Sequence, residues 1–378
     1  MNYNTALPYF PSEDVDEIIK KIRNIIEGQG VFTKGPNVES FERGFANYIG
    51  AEYGVAVNSG TSALEIALKS TGISQGDEVI VPTQTFISTG SCIVNNGGIP
   101  VFCEIGKNHV LDFVDLTKKV TEKTKAVIIV HFFGLIHPDI FKIRKYLKEK
   151  NIYLIEDAAH AHGAKIDGIF AGNIGDFGCF SFYSTKIITT GGEGGLITTN
   201  SKDSYELCSS LRTLGLDISA NTEIYSNIGS NKRMSEIQAI LGLSQLRRLE
   251  DFISHRNKIA KVYRHELKSL TDKEVIRFQE YPDSIRHSYW RFLVSIKDKG
   301  LKREEIKDKL FKLGIKIDWP YQPLMHLQPV FKKLYGEMEG QLKKSEEIAM
   351  RHFCLPIHLG IEEKDAIYIA QKVIEIIS

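Results

Sequence analysis

The sequence has almost no net charge. Its 378 residues include 48 lysines and arginines against 47 aspartates and glutamates, which gives a net charge of +1 at pH 7. Proteins that bind nucleic acid or an anionic membrane surface through charge carry a marked basic excess, and this chain has no such excess. We therefore expect neither a nucleic acid nor a membrane as a partner.

Cysteine and long apolar runs are scarce as well. The five cysteines are scattered singly, so the sequence contains neither a disulfide framework nor the spacing of zinc ligands. No apolar run reaches the length of about 18 residues that a membrane-spanning helix needs, and the N-terminal segment lacks the pattern of a secretory signal. These absences predict a cytoplasmic protein that has no metal site and is neither exported nor membrane-spanning.

Short apolar runs alternate with helical patterns over the first half of the chain. Residues 62–70 and 139–149, for example, have helical patterns. Strands that are apolar throughout and separated by helices are typical of a mostly parallel sheet with helices on both faces. The sequence therefore predicts an α/β fold. The predicted strands are 54–57, 79–82, 100–105, 127–132, 152–155, 179–182 and 195–198.

The pattern changes after about residue 235. It predicts a long helix, a strand-like stretch at 289–296 and helices at 304–313 and 362–377. A chain of this length exceeds one ordinary small core. We expect a large domain formed by residues 1–250 and a smaller C-terminal α+β domain formed by residues 251–378.

A glycine-containing turn, NSGTS at 58–62, follows one predicted strand directly and precedes a helix. Free N–H groups and the positive end of the helix dipole suit such a turn to a phosphate, and the Thr61 hydroxyl adds a donor beside Gly60. The same residue types also suit an ordinary helix N-cap, and the turn matches neither common nucleotide-binding pattern. The turn alone leaves both interpretations open.

Two acidic residues, Glu156 and Asp157, follow another predicted strand. Ligands of open parallel sheets bind beyond the carboxyl ends of the strands, so Asp157 is expected in the cleft. A carboxylate there could keep a pyridine nitrogen protonated by ion pairing. His160 and His162 make a metal site the competing hypothesis, although no further ligands stand at zinc-like spacing. A purely structural loop is the third interpretation.

Lys186 lies between a predicted apolar strand and the glycine-rich segment GGEGG at 191–195. Burial or a nearby cation lowers the pKa of a lysine, and the neutral amine can then act as a Schiff-base nucleophile. A lysine taken alone is far more often a solvated surface residue. Only its combination with the other segments can assign it a role.

Taken together, these segments resemble the DegT/DnrJ/EryC1/StrS family, the sugar aminotransferases of pyridoxal phosphate (PLP) fold type I. The resemblance extends from about residue 31 to residue 358, and the order of its motifs makes it far more specific than any single one. It implies PLP as the cofactor and a large PLP-binding domain with a mostly parallel sheet. The matching segments are FTKGPNVESFE at 32–42, NSGTSALEIAL at 58–68, PTQTFIST at 82–89, EDAAHAHGA at 156–164, GDFGCFSFYSTK at 175–186, GGEGG at 191–195 and SNKRMSEIQA at 230–239.

The resemblance implies roles for individual residues. Lys186 matches the lysine that holds PLP as a Schiff base and moves the proton during catalysis, and Asp157 matches the partner of the pyridine nitrogen. Phe86 occupies the position that stacks on the cofactor ring, unless it is a buried core residue. His160 occupies the position beside the 3-oxygen of the cofactor, where the family often has Gln or His. The positions matching the phosphate-binding residues are Gly60, Thr61, Ser181 and, reaching the neighbouring subunit, Asn231. A homodimer with shared active sites is therefore expected.

The implied reaction transfers an amino group from L-glutamate to a keto group of a nucleotide-linked deoxysugar, in the biosynthesis of surface polysaccharide or a related product. A ketosugar acid or a small keto phosphate remains open as the acceptor. One branch of the family carries histidine in place of the lysine and catalyses dehydration, so Lys186 disfavours a dehydratase, and a silent regulatory protein is the remaining alternative. Candidate substrate contacts are Lys34, Tyr321 and His326, with solvation of Lys34 and packing of the other two as alternatives.

Overall fold

The computed structural model describes residues 2–217, 219–220, 222–298 and 300–377. Its strands are β1 (Tyr53–Val57), β2 (Glu78–Pro82), β3 (Ile99–Cys103), β4 (Thr124–Val130), β5 (Tyr153–Asp157), β6 (Lys165–Ile166), β7 (Ile169–Phe170), β8 (Phe177–Ser181), β9 (Gly195–Thr199), β10 (Ile276–Arg277), β11 (Ile285–Arg286), β12 (Phe292–Ile296) and β13 (His352–Leu355). Its helices are α1 (Ser12–Asn24), α2 (Pro36–Ile49), α3 (Gly60–Ser70), α4 (Ile87–Asn95), α5 (Phe113–Lys119), α6 (Ile140–Glu149), α7 (Lys202–Arg212), α8 (Glu236–Glu266), α9 (Lys268–Asp272), α10 (Arg303–Lys312), α11 (Pro329–Tyr335), α12 (Lys343–Ala349) and α13 (Glu363–Ile377).

A seven-stranded sheet forms the centre of the molecule, in the order β1-β9-β8-β5-β4-β2-β3. Its pairs are parallel except those that β9 makes with β1 and β8. Side chains alternate between the two faces, so Val79 and Val81 enter one hydrophobic core and Ile80 enters the other. Helices α2, α6 and α8 contribute to the core on one face, and α3, α4 and α7 to the core on the other. The expected mostly parallel sheet, apolar because both faces are covered, is confirmed.

Three predicted strands extend beyond the observed ones by two residues or more. The strand predicted at 100–105 ends at Cys103, and the one predicted at 127–132 ends at Val130, ahead of a turn in which Phe133 has a φ of 58°. The stretch 289–296 becomes a strand only at Phe292, since Tyr289 has a φ of 50°, outside the extended region. An apolar pattern indicates that residues are buried. It does not indicate that they are all extended, which is why the predicted strands are too long.

A smaller sheet, in the order β10-β12-β13, packs against the C-terminal part of α8. Its core joins Tyr263 of α8, Val294 of β12 and Val373 of α13. The boundary predicted at residue 250 falls inside α8, which is continuous over its 31 residues. The division of the chain into two domains at that point therefore stays a prediction. Among the described residues, no helix is both long enough and apolar enough to cross a bilayer.

Strands β1, β5 and β8 end at one edge of the large sheet. Val57 and Ser181 both pair with Gly195 of the intervening β9, and Asp157 pairs with Cys179 of β8. Open α/β sheets bind their ligands at the carboxyl ends of their parallel strands. The register therefore brings Asp157, Ser181 and the start of α3 to the edge where a ligand is expected.

Candidate active site

A cavity of about 550 Å³ opens at this edge, a size usual for ligand pockets. A larger groove of about 710 Å³ lies on the small sheet around Arg277 and Arg351, and it contains none of the predicted site residues. We take the smaller cavity as the candidate active site because the predicted chemical groups converge there. The predicted residues that line it are Gly60, Thr61, Phe86, Asp157, His160, Ser181, Lys186 and Tyr321.

The start of α3 forms the side of the cavity that suits an anion. Ser59 caps the helix, since its side chain accepts a hydrogen bond from the Ser62 N–H at 3.1 Å. Gly60 and Thr61 are the first helical residues, whose N–H groups have no partner within the helix. A Cβ on Gly60 would lie 2.7 Å from the Cβ of Ser181, so glycine is what allows this close approach to β8. Ser59 is thus an ordinary N-cap, and the N–H groups beside it remain suited to a phosphate.

Asp157 ends β5 with only 6% of its surface exposed. Its Oδ2 accepts a hydrogen bond from the Thr89 hydroxyl at 2.9 Å, and its Oδ1 accepts one from the Ala159 N–H at 3.2 Å. The Thr85 hydroxyl lies 2.9 Å from that of Thr89 and donates to it, because the Thr89 proton is already donated to Asp157. Burial raises the pKa of Asp157, against the effect of these hydrogen bonds and of Lys186. A cation bound beside this carboxyl would favour its ionised form.

Lys186 follows β8 and is held beside an indole ring. Its Nζ lies 4.4 Å from the centre of the Trp290 ring, and the Trp290 Nε1 donates a hydrogen bond to the Thr185 carbonyl at 2.7 Å. Burial lowers the pKa of Lys186 to about 7; the Arg291 cation adds to this effect and Asp157 opposes it. At neutral pH a large fraction of the amine is therefore unprotonated and able to act as a nucleophile.

His160 is buried between aromatic rings. Its ring is stacked on Trp290, with centroids 4.0 Å apart and planes within 7°, and its Nε2 lies 2.8 Å from the Tyr321 hydroxyl oxygen. Burial, together with the nearby Lys186 and Arg291 cations, lowers the pKa of His160 well below its usual value, so the ring is neutral. Among the described residues its Nδ1 has no hydrogen-bond partner. A ligand with a complementary polar atom would satisfy it.

The metal-site alternative around Glu156 and His162 gains no support from the geometry. The Glu156 carboxylate is hydrogen-bonded to the His131 ring and to N–H groups in residues 172–175. His162 packs against Phe180 and does not line the cavity. In the part of the chain that the structure describes, no three His, Cys, Asp or Glu side chains are grouped as metal ligands. Glu156 therefore stabilises the loop before β8, while its neighbour Asp157 lines the cavity.

Phe86 and Tyr321 form the outer wall of the cavity. Phe86 is 54% exposed, so it is not the buried core residue that the sequence left open. The two rings approach edge to face, with centroids 6.1 Å apart. A flat ligand between this wall and the strand ends would contact aromatic carbon on its outer side.

Three predicted site residues do not line the cavity of this chain. Lys34 and Asn231 are both exposed. Thr33, next to Lys34, forms a β-bridge with Ser235 just before α8, and Asn231 forms one with Thr213 just after α7. His326 is buried, with one ring nitrogen bonded to the Thr83 hydroxyl and the other 3.1 Å from a Glu346 carboxylate oxygen. Because both ring nitrogens are occupied by structural contacts, the geometry favours the packing alternative for His326 over a substrate contact.

Other cavity residues are not singled out by the sequence pattern. Thr85 and Thr89 lie inside the matching segment 82–89. Once Asp157 is assigned, these two hydroxyls can be predicted from the sequence as candidate hydrogen-bond donors to it. Trp290 and Arg291 precede β12, far from Lys186 in the chain. Only the packing of the small sheet against the large one brings these two side chains to the site.

A family model matches residues 12–374, nearly the whole chain, and its description is the DegT/DnrJ/EryC1/StrS aminotransferase family. The chain belongs to this family. It is a PLP-dependent aminotransferase, and its large, mostly parallel sheet is that of PLP fold type I.

Individual relatives of this aminotransferase agree with the family. The chain is 34% identical to the GDP-perosamine synthase of Escherichia coli O157:H7, with 94% of each chain covered. It is 33% identical to a spore coat polysaccharide biosynthesis protein of Bacillus subtilis, with 98% of this chain and 96% of that one covered. A sugar aminotransferase from Streptococcus pneumoniae, solved in its PLP form, superposes on it with a TM-score of 0.87, 26% identity and full coverage of both chains.

The cavity of this aminotransferase fits its cofactor chemically. The close approach of Gly60 to Ser181 leaves helix N–H groups and a hydroxyl for a phosphate. Asp157 offers an acid partner for a pyridine nitrogen, Lys186 offers an amine with a lowered pKa, and the unpartnered Nδ1 of His160 offers a polar contact for a ring substituent.

Proposed function

We propose that this aminotransferase moves the amino group of L-glutamate to a keto group of a nucleotide-linked deoxysugar, in the cytoplasm and toward a surface polysaccharide or related product. The observation that carries the proposal is the convergence of Lys186, Asp157 and the Gly60 turn in one cavity. The acceptor class is supported by the relatives, one named for GDP-perosamine and one for spore coat polysaccharide.

Lys186 is the residue that we propose to hold the cofactor covalently and to move the proton of the donor's α-carbon. Both tasks need a neutral amine, which the lowered pKa of Lys186 provides. Bound PLP supplies the electron sink for this proton transfer. Asp157 would keep the pyridine nitrogen protonated, and Thr89 and Ala159 hold its carboxylate in one orientation.

Arg291 is suited to an anionic part of the substrate. Its Nη2 lies 3.4 Å from an Asp318 oxygen, and its buried Nε has no partner among the described residues. L-glutamate carries carboxylates and a nucleotide-linked sugar carries a diphosphate, both of which a guanidinium binds well. We keep Tyr321 on the cavity wall and the exposed Lys34 as proposed contacts for the acceptor.

We propose a homodimer in which each cavity is completed by the partner chain. Exposed hydrophobic side chains lie on the segments around 31–34 and 213–231. The first segment hydrogen-bonds to Ser235 and Glu236 at the start of α8, which the second segment precedes by a few residues. Clustered exposed apolar side chains are typical of protein–protein contacts. We propose that a second copy covering them also covers the exposed Asn231, at the end of the second segment, and so brings it to the partner's cavity. The exposed hydrophobic residues are Val31, Phe32, Leu214, Ile224, Tyr225 and Ile228.

The shared site can be tested by complementation between two inactive variants. In a mixed dimer of Lys186→Ala and Asn231→Ala both defects fall in the same cavity, so the other cavity of each heterodimer keeps both residues. Mixing and refolding equal amounts should restore about a quarter of the wild-type sites, as expected for random pairing in a two-fold dimer. No recovery, although heterodimers form, would overturn the shared site.

The acceptor can be identified by supplying glutamate with a panel of nucleotide-linked ketosugars, ketosugar acids and small keto phosphates. We expect an aminated nucleotide sugar by mass spectrometry and an equal amount of 2-oxoglutarate. Amination of a keto acid or keto phosphate alone would replace the proposed acceptor. A dehydrated sugar without 2-oxoglutarate would instead favour the dehydratase alternative.

A further inference from the structure

The His160 ring is fixed in position by Trp290 on one face, by Tyr321 beside it and through its backbone. It stacks on Trp290, and the Tyr321 ring lies near-parallel to it at 17° with centroids 5.6 Å apart. The His160 carbonyl accepts a hydrogen bond from the Ser288 hydroxyl at 3.1 Å. The ring therefore has one orientation in the cavity wall, and the remaining variable is which of its nitrogens carries the proton.

Because the His160 ring is neutral, the position of its single N–H proton decides which nitrogen can donate a hydrogen bond. The residue is 3% exposed, and burial lowers the pKa of its ring, as do Arg291 and the protonated fraction of Lys186. A neutral imidazole has one N–H donor and one acceptor lone pair, so its two nitrogens play opposite roles. The partner of one nitrogen therefore decides what the other nitrogen offers to a ligand.

The Tyr321 hydroxyl is that partner. Its hydrogen bond to the His160 Nε2 is 2.8 Å long, and no other acceptor for the hydroxyl proton is present among the described residues. Burial raises the pKa of Tyr321, so the hydroxyl keeps its proton. Tyr321 donates this proton to Nε2, which leaves the N–H of His160 on Nδ1.

We infer that Tyr321 is a positioning residue that holds His160 in its Nδ1–H form, so that Nδ1 presents a hydrogen-bond donor to an oxygen of the bound cofactor. The inference rests on the proposed function, because it takes the cavity as the PLP site. Nδ1 has no partner among the described residues, as expected for a donor whose acceptor belongs to a ligand. In the opposite form Nδ1 would present a lone pair and repel that oxygen.

The same reasoning accounts for glutamine, which the resemblance to the family gives as the other residue common at this position. A glutamine amide has N–H groups in every state, so it donates without help from a neighbouring hydroxyl. The role of the Tyr321 hydroxyl should therefore depend on histidine at residue 160. This dependence separates a tautomer effect from ordinary packing by the tyrosine ring.

A double-mutant cycle tests this dependence on the full chain. The variants are Tyr321→Phe, His160→Gln and their combination, and the readout is the PLP dissociation constant of the apo-protein, measured by fluorescence quenching. We expect Tyr321→Phe to weaken PLP about tenfold with His160 present and to have little effect with glutamine present. An equal loss in both backgrounds would overturn the inference.

Tyr48→Phe is the matched control, because it removes a hydroxyl bonded at 2.6 Å to Glu250, outside the cavity. It should leave PLP affinity unchanged. A second readout is the ¹⁵N spectrum of histidine-labelled apo-protein, in which the His160 signals are those absent from His160→Gln. We expect Nδ1–H in the wild type and a mixture of forms in Tyr321→Phe.

The two readouts separate this inference from the proposed function. An Nε2–H signal in the wild type would contradict the tautomer assignment whatever reaction the protein catalyses. Conversely, a protein with the expected signal and cycle that produced no 2-oxoglutarate from glutamate would retain the role of Tyr321 and lose the proposed function.

Discussion

The inner wall and the outer rim of the cavity differ in how they are built. The inner wall, with Asp157, Ser181 and Lys186, comes from the ends of adjacent strands and is held by buried hydrogen bonds. The rim includes Phe86, which is exposed to solvent; the segments of Lys34 and Asn231 are exposed as well and do not line the cavity of their own chain. The inner wall is therefore complete within one chain, whereas we propose that the rim requires a second.

The two parts of the cavity therefore have different proposed roles, cofactor chemistry for the inner wall and recognition of the acceptor for the rim. The inner wall holds the groups that we propose for cofactor chemistry, which every acceptor requires. At the rim the exposed Lys34 is a proposed contact for the acceptor, and exposed side chains there can change without disturbing the hydrogen bonds of the sheet edge. Substitutions in the inner wall should therefore cost activity with every acceptor, and the following variants rank its groups by the size of the expected loss.

Lys186→Ala should have the largest effect. Without the amine there is neither covalent capture of PLP nor proton transfer, so we expect no covalent adduct after borohydride reduction and a rate loss of at least about 10³-fold. Mass spectrometry and glutamate turnover measure the two effects. Lys186→Arg is the control that keeps the positive charge, and it should fail equally; activity in either variant would break the assignment.

Asp157→Asn should have the next largest effect. The change keeps the shape of the side chain but removes the negative charge, so the pyridine nitrogen would lose its proton and the ring would accept electrons poorly. We expect a loss of roughly 10²- to 10³-fold in the glutamate half-reaction, the range for a positioned acid–base group. A loss confined to protein stability, measured by thermal unfolding, would point to a structural role instead.

Gly60→Ala should weaken cofactor binding without removing the chemistry. The added Cβ would lie 2.7 Å from Ser181, so α3 must shift away from the phosphate side. We expect PLP affinity to fall by about tenfold, equal to about 1.4 kcal/mol. Gly106→Ala is the matched control, because its nearest contact would be an ordinary 3.8 Å to Val110. Equal affinities of both variants would remove the helix start from the site.

The smallest effect on activity that we predict is a change with pH. The pKa of Lys186 is lowered from 10.5 to about 7 in the folded chain, so capture of PLP by the apo-protein should speed up as pH rises toward 7 and then level off. Between about 7 and 10.5 the unfolded chain binds the extra proton. The apo-protein should therefore gain unfolding free energy with rising pH over this window relative to Lys186→Met. Parallel stability curves would contradict the buried amine.

The sequence predicts the inner wall well and the rest of the cavity poorly. Asp157 and Ser181 end apolar strands, and the carboxyl end of a parallel strand is a position that local patterns can identify. Trp290 and Arg291 reach the site only because the small sheet packs on the large one, a contact that no local pattern encodes. For His326 the sequence left a substrate contact and packing open, and only the structure, in which its ring nitrogens contact Thr83 and Glu346, favours packing.

The fold shows the same limit. The seven strands of the large sheet follow from their apolar runs, but the end of β4 and the start of β12 depend on the left-handed residues Phe133 and Tyr289. Non-glycine residues adopt positive φ only where tertiary packing holds them, so composition does not predict such turns. These two turns also bring Phe133 and Trp290 against His160, which is why the boundary errors lie next to the site.

The most direct test of the account is the half-reaction of the purified PLP-bound protein with L-glutamate. We expect one equivalent of 2-oxoglutarate per Lys186, loss of the cofactor's visible absorbance in the same proportion, and neither change in Lys186→Ala. A wild-type protein that keeps its absorbance and releases no 2-oxoglutarate, or a Lys186→Ala variant that releases as much as the wild type, would contradict the account.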